Sequence, residues 1–238
     1  MVIRERYLKQ IRPFYNQELI KVLIGLRRSG KSVLLQQIID ELKKEGIDNN
    51  HIIYINFEDL DFDEYTDSKK LNNYIKKQII DQKKYYLFLD EIQNVTEWEK
   101  AINSLRATQN ISIFITGSNS DLLSSDLATH IAGRYVSFKI TPFLFSEVCN
   151  LLEISEKNDI EKVFFDYLKW GGMPQRFMQT DDLARKNYLN DLYDSIVIKD
   201  IVKRFTIKDI DLLNRIVTYL LTTPSQIFSP ESLKKYFE

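Results

Sequence analysis

Gly25 to Ser32 reads GLRRSGKS, with two glycines, a lysine and a hydroxyl at a spacing that suits a phosphate. Glycines at both ends let the backbone turn successive N–H groups toward one point, and a helix starting there adds the positive end of its dipole. Lys31 has the reach for terminal phosphates and Ser32 the hydroxyl for Mg²⁺. Gly25, Ser29, Gly30 and Val33 complete the nucleotide contacts expected of such a loop. Arg27 and Arg28 lie inside it, where side chains usually point to solvent, and Arg28 is the one that can graze a phosphate.

A second group of reactive residues ends the apolar run Tyr85 to Leu89, which stops at Asp90 and Glu91. An acid at a neighbouring strand tip suits the metal that Ser32 also touches, and Glu91 beside it suits a water to be oriented or deprotonated. That pair argues for hydrolysis. A phosphotransferase with a small-molecule acceptor and a nucleotide-binding switch with negligible turnover are the alternatives. TGSNS, from Thr116 to Ser120, places Thr116, Ser118 and Asn119 where one of them could report on the γ-phosphate. The Asn56 amide is a candidate to hold Glu91 away from water. Arg134, in AGRY, could neutralise a transferring phosphoryl group in its own site or a neighbour's, or form a structural ion pair.

Two other patterns do not hold up as metal sites. Asp59, Asp61 and Asp63 alternate like a calcium loop, but Glu64 stands where a glycine is needed and Lys70 where a bidentate glutamate is needed. His51 and His130 are the only histidines and lie far apart, which argues against zinc or a histidine-based hydrolase.

The elements that must position these residues follow from apolar spacing. Short runs at 19–24, 52–57, 85–89, 111–115 and 135–140 read as strands, the first leading directly into the glycines. Helical spacing separates them: Leu34, Leu35, Ile38, Ile39 and Leu42, then Leu71, Tyr74, Ile75, Ile79 and Ile80, then Trp98, Ala101, Ile102 and Leu105 behind a Thr96–Glu99 capping box. Strands alternating with helices predict an α/β fold with a parallel sheet covered on both sides. Beyond Pro142 only helical periodicity remains, broken by WGGMP at 170–174. The expected division is a core over 1–155, a helical domain over 156–222 and the start of a further segment over 223–238.

A length of 238 residues, 44% hydrophobic and 28% charged, is that of a soluble globular protein, and a net charge of -1 gives no support for a broadly basic nucleic-acid surface. One cysteine and a polar start, MVIRERYLKQ, without signal peptide or membrane span, make the cytoplasm the expected compartment, with no membrane partner.

The ordered set GLRRSGKS, FLDEIQNVTEW, FITGSN, AGRYVSFKITPFLFSE and WGGMP resembles the prokaryotic AAA-like ATPases, related to the archaeal ATPase and STAND branches. In that family an ATP-binding domain precedes a C-terminal domain of unknown function. The resemblance runs from about Ile11 to the last residue. It implies a three-layer P-loop NTPase core with a five-stranded parallel sheet in the order 5-1-4-3-2, then a helical lid-like domain. It implies ATP and Mg²⁺ as ligands, Lys31 and Ser32 as Walker A residues, Asp90 and Glu91 as Walker B residues, Thr116 with Ser118 as the fourth-strand tip, and Arg134 as the GR arginine. Such proteins typically continue through a winged-helix-like segment, and SPESLKKYFE is where it would begin, so the resemblance implies that 223–238 is the truncated start of that segment. A DNA or protein partner acting through that further region, and oligomerisation, are the remaining expectations.

Overall fold

The computed structural model describes residues 2–118, 131, 133–154, 156–202 and 205–237. They fall into two compact units, Met1–Thr180 and Asp181–Glu238.

In the first unit five strands, β1 (Ile20–Gly25), β2 (Ile52–Asn56), β3 (Tyr85–Asp90), β4 (Ile111–Ser118) and β5 (Tyr135–Ile140), form one sheet in the order β2-β3-β4-β1-β5. Every pairing is parallel. This is the expected 5-1-4-3-2 order read from the other edge. Parallel strands need crossovers, and the crossovers cover both faces, which is why β1 and β3 are buried along their whole length.

The two faces differ in chemistry. Ile20, Val22, Ile24, Leu87, Leu89, Ile113 and Ile115 face one aliphatic core, packed by α3 (Ser68–Gln78) and α4 (Trp98–Thr108). Leu23, Tyr86, Phe88, Phe114 and Phe138 face the other, against α1 (Glu5–Ile11) and α2 (Lys31–Lys44), with Phe88 stacked on Phe114 at 4.6 Å. Strand alternation sorts the residues in this way, since successive side chains leave the sheet on opposite sides.

Three local expectations change. Thr96 does not cap α4: its N–H donates to the Thr66 carbonyl at 2.8 Å and it bridges Asp67, so the helix starts later, after Glu97 in left-handed conformation. The helix α3 ends at Gln78, leaving Ile80 exposed with its N–H held by the Tyr85 hydroxyl at 3.0 Å. The strand β4 runs on to Ser118, carrying the polar TGS tip within the sheet.

After β5 come α5 (Phe145–Leu151) and α6 (Lys157–Trp170), and WGGMP breaks the helix at Gly171. In the second unit, α7 (Asp182–Asp194) is capped by the Asp181 carboxylate, runs on through a π-helical stretch, Ser195–Val202, and is followed by α8 (Ile210–Thr222) and α9 (Pro230–Phe237). The ring of Tyr219 on α8 packs on Phe228, Tyr236 and Phe237. Among the described residues no helix is long and apolar enough to cross a membrane.

Lys21 lies on the aromatic side of β1 with no exposure at all. Its ammonium donates to Ser112 Oγ at 2.6 Å and to the Gln17 carbonyl at 3.1 Å and sits 4.5 Å from the Phe114 ring centre. Burial, helped by Lys84, pushes its pKa down from 10.5 to about 7. Between those values the unfolded chain holds a proton that the folded chain lacks, so stability rises with pH through that window. Relative to Lys21→Met, the wild-type chain is expected to gain up to about 1.4 kcal/mol per pH unit from pH 7 to 9 in urea titrations. Parallel pH profiles for the two proteins would exclude the neutral buried amine.

Candidate functional site

The parallel register brings the C-terminal ends of the strands to one edge. Gly25 lies opposite Ser118 on one side and Ile140 on the other, Thr116 lies opposite Leu23, and Asn56 lies opposite Asp90. The loop that leaves β1 at this edge must pass close to β5. A Cβ on Gly25 would lie 2.1 Å from the Ile140 carbonyl oxygen, so only glycine fits. Gly30 caps α2 at φ +96°, a left-handed conformation that glycine adopts without steric cost.

Lys31, the first residue of α2, is buried, and its ammonium lies 3.3 Å from the carbonyls of both Gly25 and Leu26 and 3.4 Å from Glu91 Oε1. Ser32 and Val33 follow on the exposed side of the helix start. Ser29 is fully buried beneath the loop, its hydroxyl near Gly25 and without a hydrogen-bond partner. Arg28 is exposed in left-handed conformation and donates to Gln175 Oε1 at 3.3 Å, outside the cradle.

Asp90 is 1% exposed at the end of β3, and both of its oxygens accept hydrogen bonds: Oδ1 from the Thr116 hydroxyl and Oδ2 from Tyr54 at 3.1 Å. Burial first, and then the adjacent Asp90, push the Tyr54 hydroxyl well above the usual phenol range. The Thr116 oxygen also accepts the Glu91 N–H at 3.0 Å, so one hydroxyl joins the two acids. Glu91 turns the chain out of the strand at φ 54° and ψ 49°. A non-glycine residue there is strained, and such strain concentrates at functional sites. Its carboxylate is held on one oxygen by Lys31 and on the other by the Gln93 amide.

The structure thus brings Gly25, Ser29, Gly30, Lys31, Ser32, Asp90, Glu91 and Thr116 to a single sheet edge. Ser118 is placed there through its backbone, and Asn119 lies outside the described residues. Asn56 also reaches the edge, but its side chain accepts the Glu58 N–H at 3.0 Å, and Gln93 holds Glu91 where Asn56 was expected to. Arg134 is not among them. Its carbonyl accepts the Ile20 N–H at 2.9 Å at the start of β5, and its guanidinium donates to Asn103 on α4. With Ile20 opposite Tyr135 and Gly25 opposite Ile140, that puts it a strand length, about 17 Å, from the loop.

Tyr54, Gln93 and Arg4, whose guanidinium donates to the Ser29 carbonyl at 2.9 Å, are site residues that sequence reasoning missed. Only Gln93, two residues after Glu91 in DEIQ, stood close enough to the acid pair to be suspected. The donor set of Ser32 hydroxyl and Asp90 carboxylate is all oxygen, the chemistry that Mg²⁺ prefers, and the orphaned Ser29 hydroxyl and the glycine-only approach at Gly25 suit a loop wrapped on an anion.

Residues 17–149 match the family described as an AAA domain, and residues 161–238 match a domain of unknown function (DUF8612). An uncharacterized protein of Haemophilus influenzae is 38% identical over 98% of this chain and 58% of its own length. An uncharacterized protein of Methanocaldococcus jannaschii is 33% identical over 92% of this chain and 50% of its own. The chain therefore spans about half the length of the curated relatives it matches. Among solved structures, a Walker-type ATPase of Pyrococcus abyssi shares the fold with a TM-score of 0.56, at 15% identity over 99% of this chain and 88% of that one.

The shared hydroxyl at Thr116 gives a direct test of how the acids are held. Thr116→Val leaves the Glu91 N–H and one Asp90 oxygen without a partner in a buried position, and is expected to cost about 1–3 kcal/mol in urea unfolding. Thr116→Ser keeps the hydroxyl and is expected to cost less than about 1 kcal/mol. A larger loss for Thr116→Ser than for Thr116→Val would place the stabilisation in the methyl group instead.

Proposed function

The chain belongs to the AAA-domain family, and from that premise we propose that it is an ATP-binding, Mg²⁺-dependent ATPase module whose nucleotide state is passed to the helical segment beyond the core. The observation that carries the reading is the convergence of Lys31, Asp90, Glu91 and Thr116 at the edge where β1 opens into its glycine loop.

In this reading the loop amides and Lys31 hold the β- and γ-phosphates of ATP. Ser32 and Asp90 are the residues that would hold Mg²⁺, which when bound neutralises charge on those phosphates. Tyr54 and Thr116 fix the Asp90 carboxylate from both sides, so its orientation is set before any ligand arrives. Glu91 takes a proton from a water as the water oxygen bonds to the γ-phosphorus, and the bond from that phosphorus to the bridging oxygen breaks to leave ADP and phosphate. Lys31 is 3.4 Å from Glu91, so a γ-phosphate that draws the ammonium away also releases one carboxylate oxygen for that water. Gln93 retains the other oxygen and keeps the carboxylate in place.

The same contacts favour a second reading. A glutamate that stayed bound to Lys31 and Gln93 after nucleotide binding would leave ATP as an ordering ligand with negligible turnover. Glu91→Gln separates the two. If Glu91 serves as the base, the variant retains ATP while phosphate release falls about 100-fold or more. Turnover unchanged by the substitution would remove Glu91 from the chemistry.

Arg134 lies at the opposite edge from its own loop, so any phosphate it acts on would belong to a neighbouring copy. Specific activity is then expected to rise with protein concentration in the wild-type chain, and to stay at its dilute value in Arg134→Ala. A concentration-independent rate shared by both would assign Arg134 to its contact with Asn103 alone.

A further inference from the structure

Beneath the phosphate loop lies a buried guanidinium from a part of the chain distant in sequence. Arg4 is 1% exposed. Its Nε and Nη2 grip both oxygens of Glu147, each at 2.9 Å, Nη2 also reaches the Thr141 carbonyl at 3.0 Å, and Nη1 donates to the Ser29 carbonyl at 2.9 Å. Its plane lies against the rings of Tyr7 and Phe143. The backbone of Arg4 is fixed as well: its N–H donates to Gln37 Oε1 at 3.0 Å, and the Gln37 amide returns a bond to the Val2 carbonyl at 2.7 Å. Gln37 belongs to α2, the helix that the loop leads into.

Burying an arginine and a glutamate is costly, and an apolar pair of similar volume is often as stable or more so. The pair is therefore poorly explained by stability alone, whereas its geometry bears directly on the loop. A peptide is planar and trans, so the Ser29 carbonyl and the Gly30 N–H point in opposite directions. With the carbonyl anchored by Arg4, the Gly30 N–H is directed away from the guanidinium. Glu147 supplies the reverse half of the arrangement. Its Oε2 also accepts the Leu144 N–H at 2.8 Å, which ties the start of α5 to the same guanidinium.

We propose that Arg4 is a positioning residue of the phosphate loop: held by Glu147, it sets the Ser29–Gly30 peptide for a nucleoside polyphosphate and links that peptide mechanically to α5. The inference rests on the nucleotide reading of the loop. It adds to that reading that the loop's competence depends on residues 2–4 and on α5, neither of which touches the phosphate.

The experiment compares the wild-type chain, Lys31→Ala and the double variant Arg4→Met with Glu147→Leu, which exchanges the ion pair for apolar groups without leaving one charge unpaired. Thermal unfolding reports the fold, equilibrium binding of ADP and of a fluorescent ATP analogue reports the loop, and steady-state kinetics separates KM from kcat. The expected result is a double variant that unfolds near the wild-type temperature, binds both nucleotides about tenfold or more weakly, and shows its loss chiefly in KM. Wild-type affinity in a folded double variant would overturn the proposal while leaving the nucleotide reading intact. Absence of binding in the wild-type chain would overturn both, and Lys31→Ala shows that the binding measured belongs to the loop. If the double variant does not fold, Arg4→Lys decides. Its ammonium keeps a cation beside Glu147 but lacks the fork that also holds the Ser29 carbonyl. Weakened binding in a folded Arg4→Lys upholds the inference, and unchanged binding sinks it.

Discussion

Everything at the site depends on β1 being hydrogen-bonded on both sides in parallel register. Because Gly25 is held between Ser118 and Ile140, the chain must leave the sheet at a point where the β5 backbone admits no side chain. That constraint selects glycine, starts the loop and sets where α2 begins. It also fixes where Lys31 can reach. The same register aligns the end of β3 with the end of β4, so that Asp90, Glu91 and Thr116 arrive at the edge as a consequence of strand pairing.

Polar groups buried at this edge are satisfied by one another. Thr116 accepts from Glu91 and donates to Asp90, Tyr54 takes the remaining Asp90 oxygen, and Lys31 and Gln93 divide the Glu91 carboxylate. A buried network of this kind is favourable only when its members are paired, and pairing also restricts each group to one orientation. The exceptions are instructive. The Ser29 hydroxyl and the Gln93 carbonyl oxygen are buried without partners, one in the loop and one beside Glu91. Lys21, further back on β1, shows the opposite solution: a cation with no carboxylate partner among the described residues, whose charge is suppressed by burial.

Much of this was legible in the sequence because burial on two faces leaves a plain signature. The run that became β3 is apolar without a break and that of β1 is broken only by Lys21, and the residues that end them, Asp90 and Gly25, are those at the site. What the sequence did not reveal depends on side-chain direction and long-range contact. Asn56 and Gln93 were both amides near Glu91. The left-handed turn at Glu91 swings its carboxylate to Gln93, while Asn56 closes a turn onto Glu58. The placement of Arg134 could have been inferred, since a residue that precedes a parallel strand lies at the edge opposite the loops that follow the strands. Arg4 offered no such route: the acceptors of its hydrogen bonds lie from 25 to 143 residues away, and nothing in MVIRERYLKQ marks one charge as buried.

If the proposed chemistry holds, a water attacks the γ-phosphorus of ATP at this one edge of the sheet. Hydrolysis of ATP by the wild-type chain in ¹⁸O-labelled water, with Mg²⁺ present, tests this most directly, with the products resolved by mass. The account predicts one labelled oxygen in the released phosphate and none in the ADP. Bound ATP with no phosphate released, or label found in the ADP, would contradict it.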